Sequence, residues 1–230
     1  MLPVEKSSKV TDLSQQVILI YGRAKIGKST LCSQFDSPIF LATEPGLKYL
    51  EVHKVNINKW EKFIEGCSDV AQGKHKFKTV IIDTVDELIT FCSDWVCREN
   101  GIHHPSELPH GKGWHLVTSE LRRALVKLAM LPYGLVLVSH SEIQEVETKT
   151  RKYTRYTIPV GGKNKNIILN MCDIILFIDS EVSKDGGEKR LIRTKPSMFY
   201  EAGDRSGKLP EILPLDYKEL AKYFQPKEGK

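Results

Sequence analysis

Residues 22–29 of this 230-residue chain read Gly-Arg-Ala-Lys-Ile-Gly-Lys-Ser, a fit to G-x-x-x-x-G-K-[ST]. The pattern alone recurs by chance. Here the apolar run VILIY at 17–21 precedes it, and STLCSQF at 29–35 reads as the helix that follows. Strand, loop and helix in that order are the setting its chemistry requires. Gly22, Arg23, Ala24, Lys25, Ile26, Gly27, Lys28, Ser29 and Thr30 are therefore read as a nucleotide-phosphate cradle. Glycines at both ends let backbone N–H groups turn inward on the β-phosphate, and the helix start adds its positive end. Lys28 is expected to reach the β- and γ-phosphates, with the Ser29 hydroxyl on Mg2+. A glycine-rich turn that merely opens a helix is the competing reading, and the flanking pattern disfavours it.

Further strand candidates lie at 39–42, 79–82, 134–138 and 174–178, near-continuous apolar runs of the kind buried on both faces. Helix candidates at 59–71, 85–100, 114–131 and 164–171 alternate with them. In the segment 117–131, Leu121, Leu125, Leu128 and Met130 fall close to a 3.6 period and read as its core stripe. This alternation predicts an α/β fold, a mostly parallel central sheet flanked by helices. A strand at 191–194 and a terminal helix at 216–224 complete the chain. One domain at 17–214 is expected, after a polar segment at 1–16 and before a terminal helix and charged tail at 215–230. With 40% hydrophobic and 27% charged residues, collagen-like and wholly disordered classes are excluded. No apolar run approaches a membrane span and the start lacks an apolar leader, so neither a membrane partner nor secretion is expected. Five scattered cysteines without a Cys-x-x-Cys pair point to a reducing cytoplasm.

Three strand ends carry the remaining chemistry. VIID ends in Asp83, expected to hold Mg2+ through water. Asp83 as a helix cap is the alternative, though Asp86, leading ELITFC, is the stronger claimant for capping. IFLATEPGL places Glu44 at the end of a strand, where it can orient the water attacking the γ-phosphate; a solvated turn is the other reading. GLVLVSH sets His140 at a strand tip, able to sense that phosphate or simply to end the strand. No D-x-x-G follows Asp83 and no N-K-x-D occurs, which argues against a GTPase. His103, His104, His110 and His115, near Cys97, fit no zinc spacing, and 99–113 reads as a long loop. Residues 142–165 also read as a long loop. Lys149, Arg151, Lys152 and Arg155 interleave there with Tyr153 and Tyr156, cations for phosphates and rings for bases, diluted by Glu142, Glu145 and Glu147.

The order of these motifs, with GKGW at 111–114, RLIRTK at 190–195 and a late TKPS…AGDR…LPE stretch, resembles the RecA-like ATPase core. More closely, it is similar to the phage-encoded RecA-like ATP-binding proteins of the Sak-type single-strand-annealing group. The resemblance implies a Mg2+-dependent ATPase acting on single-stranded DNA in recombination or annealing, in the bacterial host cytoplasm. It makes Glu44 the catalytic glutamate, Asp83 the Mg2+ aspartate and His140 the γ-phosphate sensor, where recombinases usually carry Gln. It places 142–165 and 111–113 at the two DNA-contacting loops. ATP would lie between copies of the chain, with Arg193 or Lys195, or less directly Arg205, supplied by the neighbour. A single-strand-binding protein is a further implied partner. The start close to the core suggests that no large flanking polymerisation domain is present. A small P-loop kinase, with the basic loop as lid, and a non-catalytic nucleotide-dependent regulator stay open as alternatives.

Overall fold

The computed structural model describes residue 6 and residues 12–182 and 185–224. The chain runs β1 (Val17–Gly22), α1 (Lys28–Cys32), β2 (Pro38–Ala42), β3 (His53–Asn56), α2 (Trp60–Ala71), β4 (Thr79–Asp83), α3 (Val85–Glu99), α4 (Lys112–Ala129) and β5 (Gly134–His140). It continues through β6 (Glu142–Glu147), β7 (Lys152–Thr157), α5 (Gly162–Met171), β8 (Ile174–Val182), β9 (Glu188–Arg193), β10 (Gly203–Asp204), β11 (Ile212–Pro214) and α6 (Tyr217–Ala221). The main sheet has the order β11-β9-β8-β1-β5-β4-β2-β3, with β10 on β8. From β8 to β3 every pairing is parallel; β9, β10 and β11 pair antiparallel.

The apolar strands bury both faces because helices cover both. Leu19, Tyr21, Leu41, Val80, Ile82, Leu135 and Leu137 pack with residues of α2, α3 and α4. The alternate set, Ile18, Ile20, Phe40, Ile81, Val136 and Val138, packs with α1 and with Leu209, Leu213, Leu220 and Phe224. Each such side chain, fully buried, contributes about 1.5–3 kcal/mol. Register then does the positioning. Gly22 pairs with His140 across β1 and β5, and Ala42 with Asp83 across β2 and β4. The P-loop, Asp83, Glu44 and His140 therefore all leave one edge of the sheet, the carboxyl ends of its strands, where α/β folds bind ligands. β5 lies between the strand that feeds the Gly22–Ser29 loop and the strand that ends in Asp83, the additional-strand order that the resemblance implies.

Several expectations need correction. Residues 142–157 are not a loop but a hairpin, β6 paired antiparallel with β7 outside the main sheet. The loop expected at 99–113 is shorter, because α3 runs to Glu99 and Lys112 and Gly113 already open α4; between them lie two short 3-10 turns, Pro105–Glu107 and Pro109–Gly111. Met130 is not core: it lies beyond α4 and is 81% exposed, while Val117 and Ala124 share the stripe with the leucines. β3, β10 and β11 lie outside the strands the apolar runs predict, and α1 ends at Cys32 rather than at residue 35. Residues 1–5 and 7–11 of the polar start and the tail at 225–230 lie outside the described residues.

Candidate functional site

The loop leaving β1 turns at Lys25 (φ 63°) and Gly27 (φ 111°), and α1 begins at once with Lys28. At Gly27 the positive φ excludes most L side chains, and an added Cβ would stand 3.1 Å from Leu215. Gly22 is needed for a different reason: a Cβ there would lie 2.6 Å from the Ile178 carbonyl oxygen of β8. The loop wraps a cavity of about 450 Å³ lined by Lys28, Ser29, Glu44, Asp83, His140 and Arg190 among others.

Lys28 is buried, and its Nζ donates to the carbonyls of Gly22 (2.9 Å) and Arg23 (3.0 Å), bending back over its own loop. Burial lowers its pKa, with Asp83, Asp86 and Glu44 opposing that shift. The Ser29 hydroxyl donates to Asp83 Oδ2 at 2.7 Å. Burial pushes the Asp83 carboxyl up; the Ser29 hydrogen bond counters this and the Glu44 charge adds to it. A serine hydroxyl and a desolvated carboxylate in contact are a hard-oxygen pair suited to Mg2+, and that burial penalty is the kind a cation relieves.

Glu44 and His140 meet across the same cavity. Glu44 Oε1 accepts from the Thr84 hydroxyl at 2.7 Å and stands 3.7 Å from His140 Nδ1. Thr84 is itself fixed by Thr43, whose hydroxyl accepts from the Thr84 N–H (2.6 Å) and donates to its carbonyl (2.9 Å). Asp86 does not cap α3, as its sequence position suggested. Its Oδ2 lies 2.9 Å from His140 Nδ1, and Oδ1 accepts the His140 backbone N–H at 3.3 Å. One contact orients the imidazole and the other ties Asp86 to the His140 backbone. Asp86 was missed because these contacts depend on β4 and β5 lying side by side, which local sequence does not reveal.

Two more side chains at the cavity escaped the sequence reading. Arg190 of β9 reaches the loop, its Nη1 3.6 Å from where a Gly27 Cβ would stand. Tyr49 stands at the rim, 99% exposed. Arg193, by contrast, is turned inward: it pairs with Asp179 (2.8 Å) and Glu181 (2.6 Å) and lies over the Tyr200 ring. Arg205 is held by Asp173 and the Asn170 carbonyl, at the end of α5. Lys195 makes no ion pair among the described residues. Arg23 pairs with Glu188 at the start of β9.

The hairpin carries its basic residues unevenly. Lys149 and Arg151 are exposed at the tip, and Lys152 pairs across the strands with Glu145. Arg155 is drawn to Glu201 at 3.0 Å. Tyr156 stacks on Phe177 and Tyr153 meets Phe199 edge-on, so both rings already have partners within the chain. Beyond the hairpin base lies a cavity of about 640 Å³. Trp114, half exposed, and Lys163 line it with Asp86 and Asn164, whose buried Oδ1 has no hydrogen-bond partner. Both α4 and α5 begin on this cavity, and neither has a side-chain cap. His110 and His115 line it too, while His104 caps a 3-10 turn and meets Trp114 edge-on.

A family model described as an AAA domain matches residues 14–206. A SPbeta prophage-derived uncharacterized protein, YorG of Bacillus subtilis (strain 168), is 25% identical over 175 residues. That match covers 73% of this chain and 52% of the relative, so the chain spans about half the length of the curated relative it matches. Among solved structures, the flagellar accessory protein FlaH of Methanocaldococcus jannaschii is similar with a TM-score of 0.47 and 12% identity, covering 86% of this chain and 84% of that one. A KaiC-like protein of Pyrococcus horikoshii is similar with a TM-score of 0.46 and 12% identity, covering 78% and 79%. Among the described residues no helix is long and apolar enough to cross a membrane.

Proposed function

The chain belongs to the AAA-domain family, and from that premise we propose that it is a Mg2+-dependent ATPase whose turnover is coupled to single-stranded DNA. One observation carries the ATPase reading: Ser29 and Asp83 meet at 2.7 Å beneath the loop, with Glu44 and His140 across the same cavity. Lys28 swings from its own loop carbonyls to the β- and γ-phosphates, and the first N–H groups of the loop and α1 face them. Mg2+ on Ser29 and Asp83 neutralises charge on those phosphates when bound. Glu44, steadied by Thr84, orients the attacking water and accepts its proton. His140, held by Asp86 through Nδ1 and lining the cavity, offers its imidazole to the γ-phosphate. Arg190 adds a cation from the same chain, and Tyr49 offers a ring to the adenine.

The DNA reading draws support from position and charge. The hairpin leaves β5 directly after His140, so a change there moves the base of the element that carries Lys149 and Arg151. The Trp114 cavity adds an aromatic face and two helix starts, which suit a base and a phosphate. By this reading the chain acts in annealing or recombination, as the Sak-type proteins do. Further copies complete its site, and a single-strand-binding protein is its natural companion. Phosphate release measured with and without single-stranded DNA tests the whole. Mg2+-dependent release that rises with DNA is expected. Transfer only to an added acceptor would show a kinase, and no turnover in either case a nucleotide-dependent regulator.

A further inference from the structure

Glu44, Asp86 and His140 come from three separate segments: the turn after β2, the first turn of α3 and the end of β5. Their ligand atoms nonetheless lie within 4.8 Å of one another. His140 Nδ1 is 2.9 Å from Asp86 and 3.7 Å from Glu44. Adjacent ligands about 2.1 Å from a first-row metal stand roughly 3.0–3.4 Å apart, so modest side-chain rotation brings all three onto one ion. The three are neither flooded by solvent nor sealed, with side chains 16–37% exposed. Glu44 and His140 line the phosphate cavity, so the ion's remaining positions would open toward the P-loop.

Charge points the same way. Two carboxylates, Glu44 and Asp83, line the place where a nucleotide brings more negative charge, opposed by Lys28 and Arg190, and a third, Asp86, stands directly behind His140. We infer that Glu44, Asp86 and His140 form a second divalent-cation site beside the Ser29–Asp83 oxygen pair. The imidazole selects the ion. Mg2+ prefers oxygen ligands throughout, whereas one nitrogen and two carboxylates suit Mn2+, Fe2+ or Zn2+. The ion replaces the Asp86–His140 hydrogen bond with bonds to both side chains and offers open positions to water or a phosphate oxygen.

The site shares Glu44 and His140 with the proposed ATPase centre, so the test uses no nucleotide. Full-length Asp83→Asn protein, lacking the carboxylate of the oxygen pair, is titrated with Mn2+ alone. Bound metal is followed by electron paramagnetic resonance, with pulsed measurement of nitrogen coupling. One Mn2+ per chain with imidazole nitrogen coupling is expected. His140→Gln in the same background should remove the coupling, and Asp86→Asn should weaken binding at least tenfold, with thermal melts confirming that each variant folds. No Mn2+ bound by the Asp83→Asn protein, or nitrogen coupling that survives His140→Gln, overturns the site. Mg2+-dependent turnover by the wild-type chain, beside an Asp83→Asn protein that binds no Mn2+, keeps the ATPase reading and rejects this one. Nitrogen-coupled Mn2+ on the Asp83→Asn protein, beside a wild-type chain without turnover, does the reverse.

Discussion

Lys28 and Asp83 both sit where burial works against their charge, and this makes the nucleotide-free site a local weak point. Asp83 titrates above the ordinary carboxylate range, so its contribution to stability is present at acid pH and lost as pH rises through that raised value. Lys28 titrates below the ordinary lysine value, so its contribution is present in alkali and lost as pH falls through the lowered value. Between the two shifted values the protein bears both penalties. Asp83→Asn should therefore raise the Tm of the nucleotide-free protein, about 2–4 °C for each kcal/mol relieved in a chain of this size, and abolish the further rise given by Mg2+ and ATP. Scanning fluorimetry reads both, and a lowered Tm would mean that the charged carboxylate is stabilising. Glu44→Gln should keep ATP affinity and lose hydrolysis by a factor on the order of 10²–10⁴, checked by nucleotide binding and phosphate release on one preparation. Lys28, Ser29 and Asp83 were legible because each belongs to a local strand-and-turn pattern. Asp86 and Arg190 were not, since their roles depend on which strands become neighbours.

At the scale of an element, the hairpin shows why polarity misleads. Glu-Ile-Gln-Glu-Val-Glu exposes both faces of β6, so no apolar alternation marks it as a strand, and its Thr148–Arg151 turn closes without Gly, Pro or Asn. The basic residues that read as one group are divided by the fold. Arg155 and the two tyrosines serve packing against 197–201 and Phe177, leaving Lys149, Arg151 and Lys152 to face solvent. Replacing those three together with Ala should lower the salt slope of single-strand binding by about 0.7 for each phosphate that is no longer neutralised, with the fold intact. Tyr156→Ala should instead lower Tm. Trp114→Ala should cost ~1–3 kcal/mol of DNA affinity with little change in slope, if its half-open ring takes a base. Oligonucleotide titrations at several salt concentrations separate these outcomes. Wild-type affinity and slope in the triple variant would remove the hairpin from the DNA site.

At the scale of the whole molecule, the phosphate cavity opens at an edge of the sheet, and the proposed function requires a second copy to complete it. The resemblance offered Arg193 and Lys195 for that role, and the fold divides them. Arg193 is committed to Asp179, Glu181 and Tyr200, so Arg193→Ala should lower Tm by removing packing and ion pairing rather than act on a neighbour's nucleotide. Lys195 is the better candidate for supply in trans, stabilising charge on the transferring phosphoryl group. Its role can be tested without knowing the number of subunits. Glu44→Gln and Lys195→Ala proteins should each be nearly inactive alone, for different reasons. In a mixed assembly, a Lys195→Ala subunit keeps its own Glu44 and receives Lys195 from a Glu44→Gln neighbour. Random head-to-tail mixing at equal amounts then rebuilds about one site in four, so phosphate release should recover toward a quarter of the wild-type rate. A mixture no more active than its components would place Lys195 outside the site or the site within a single chain.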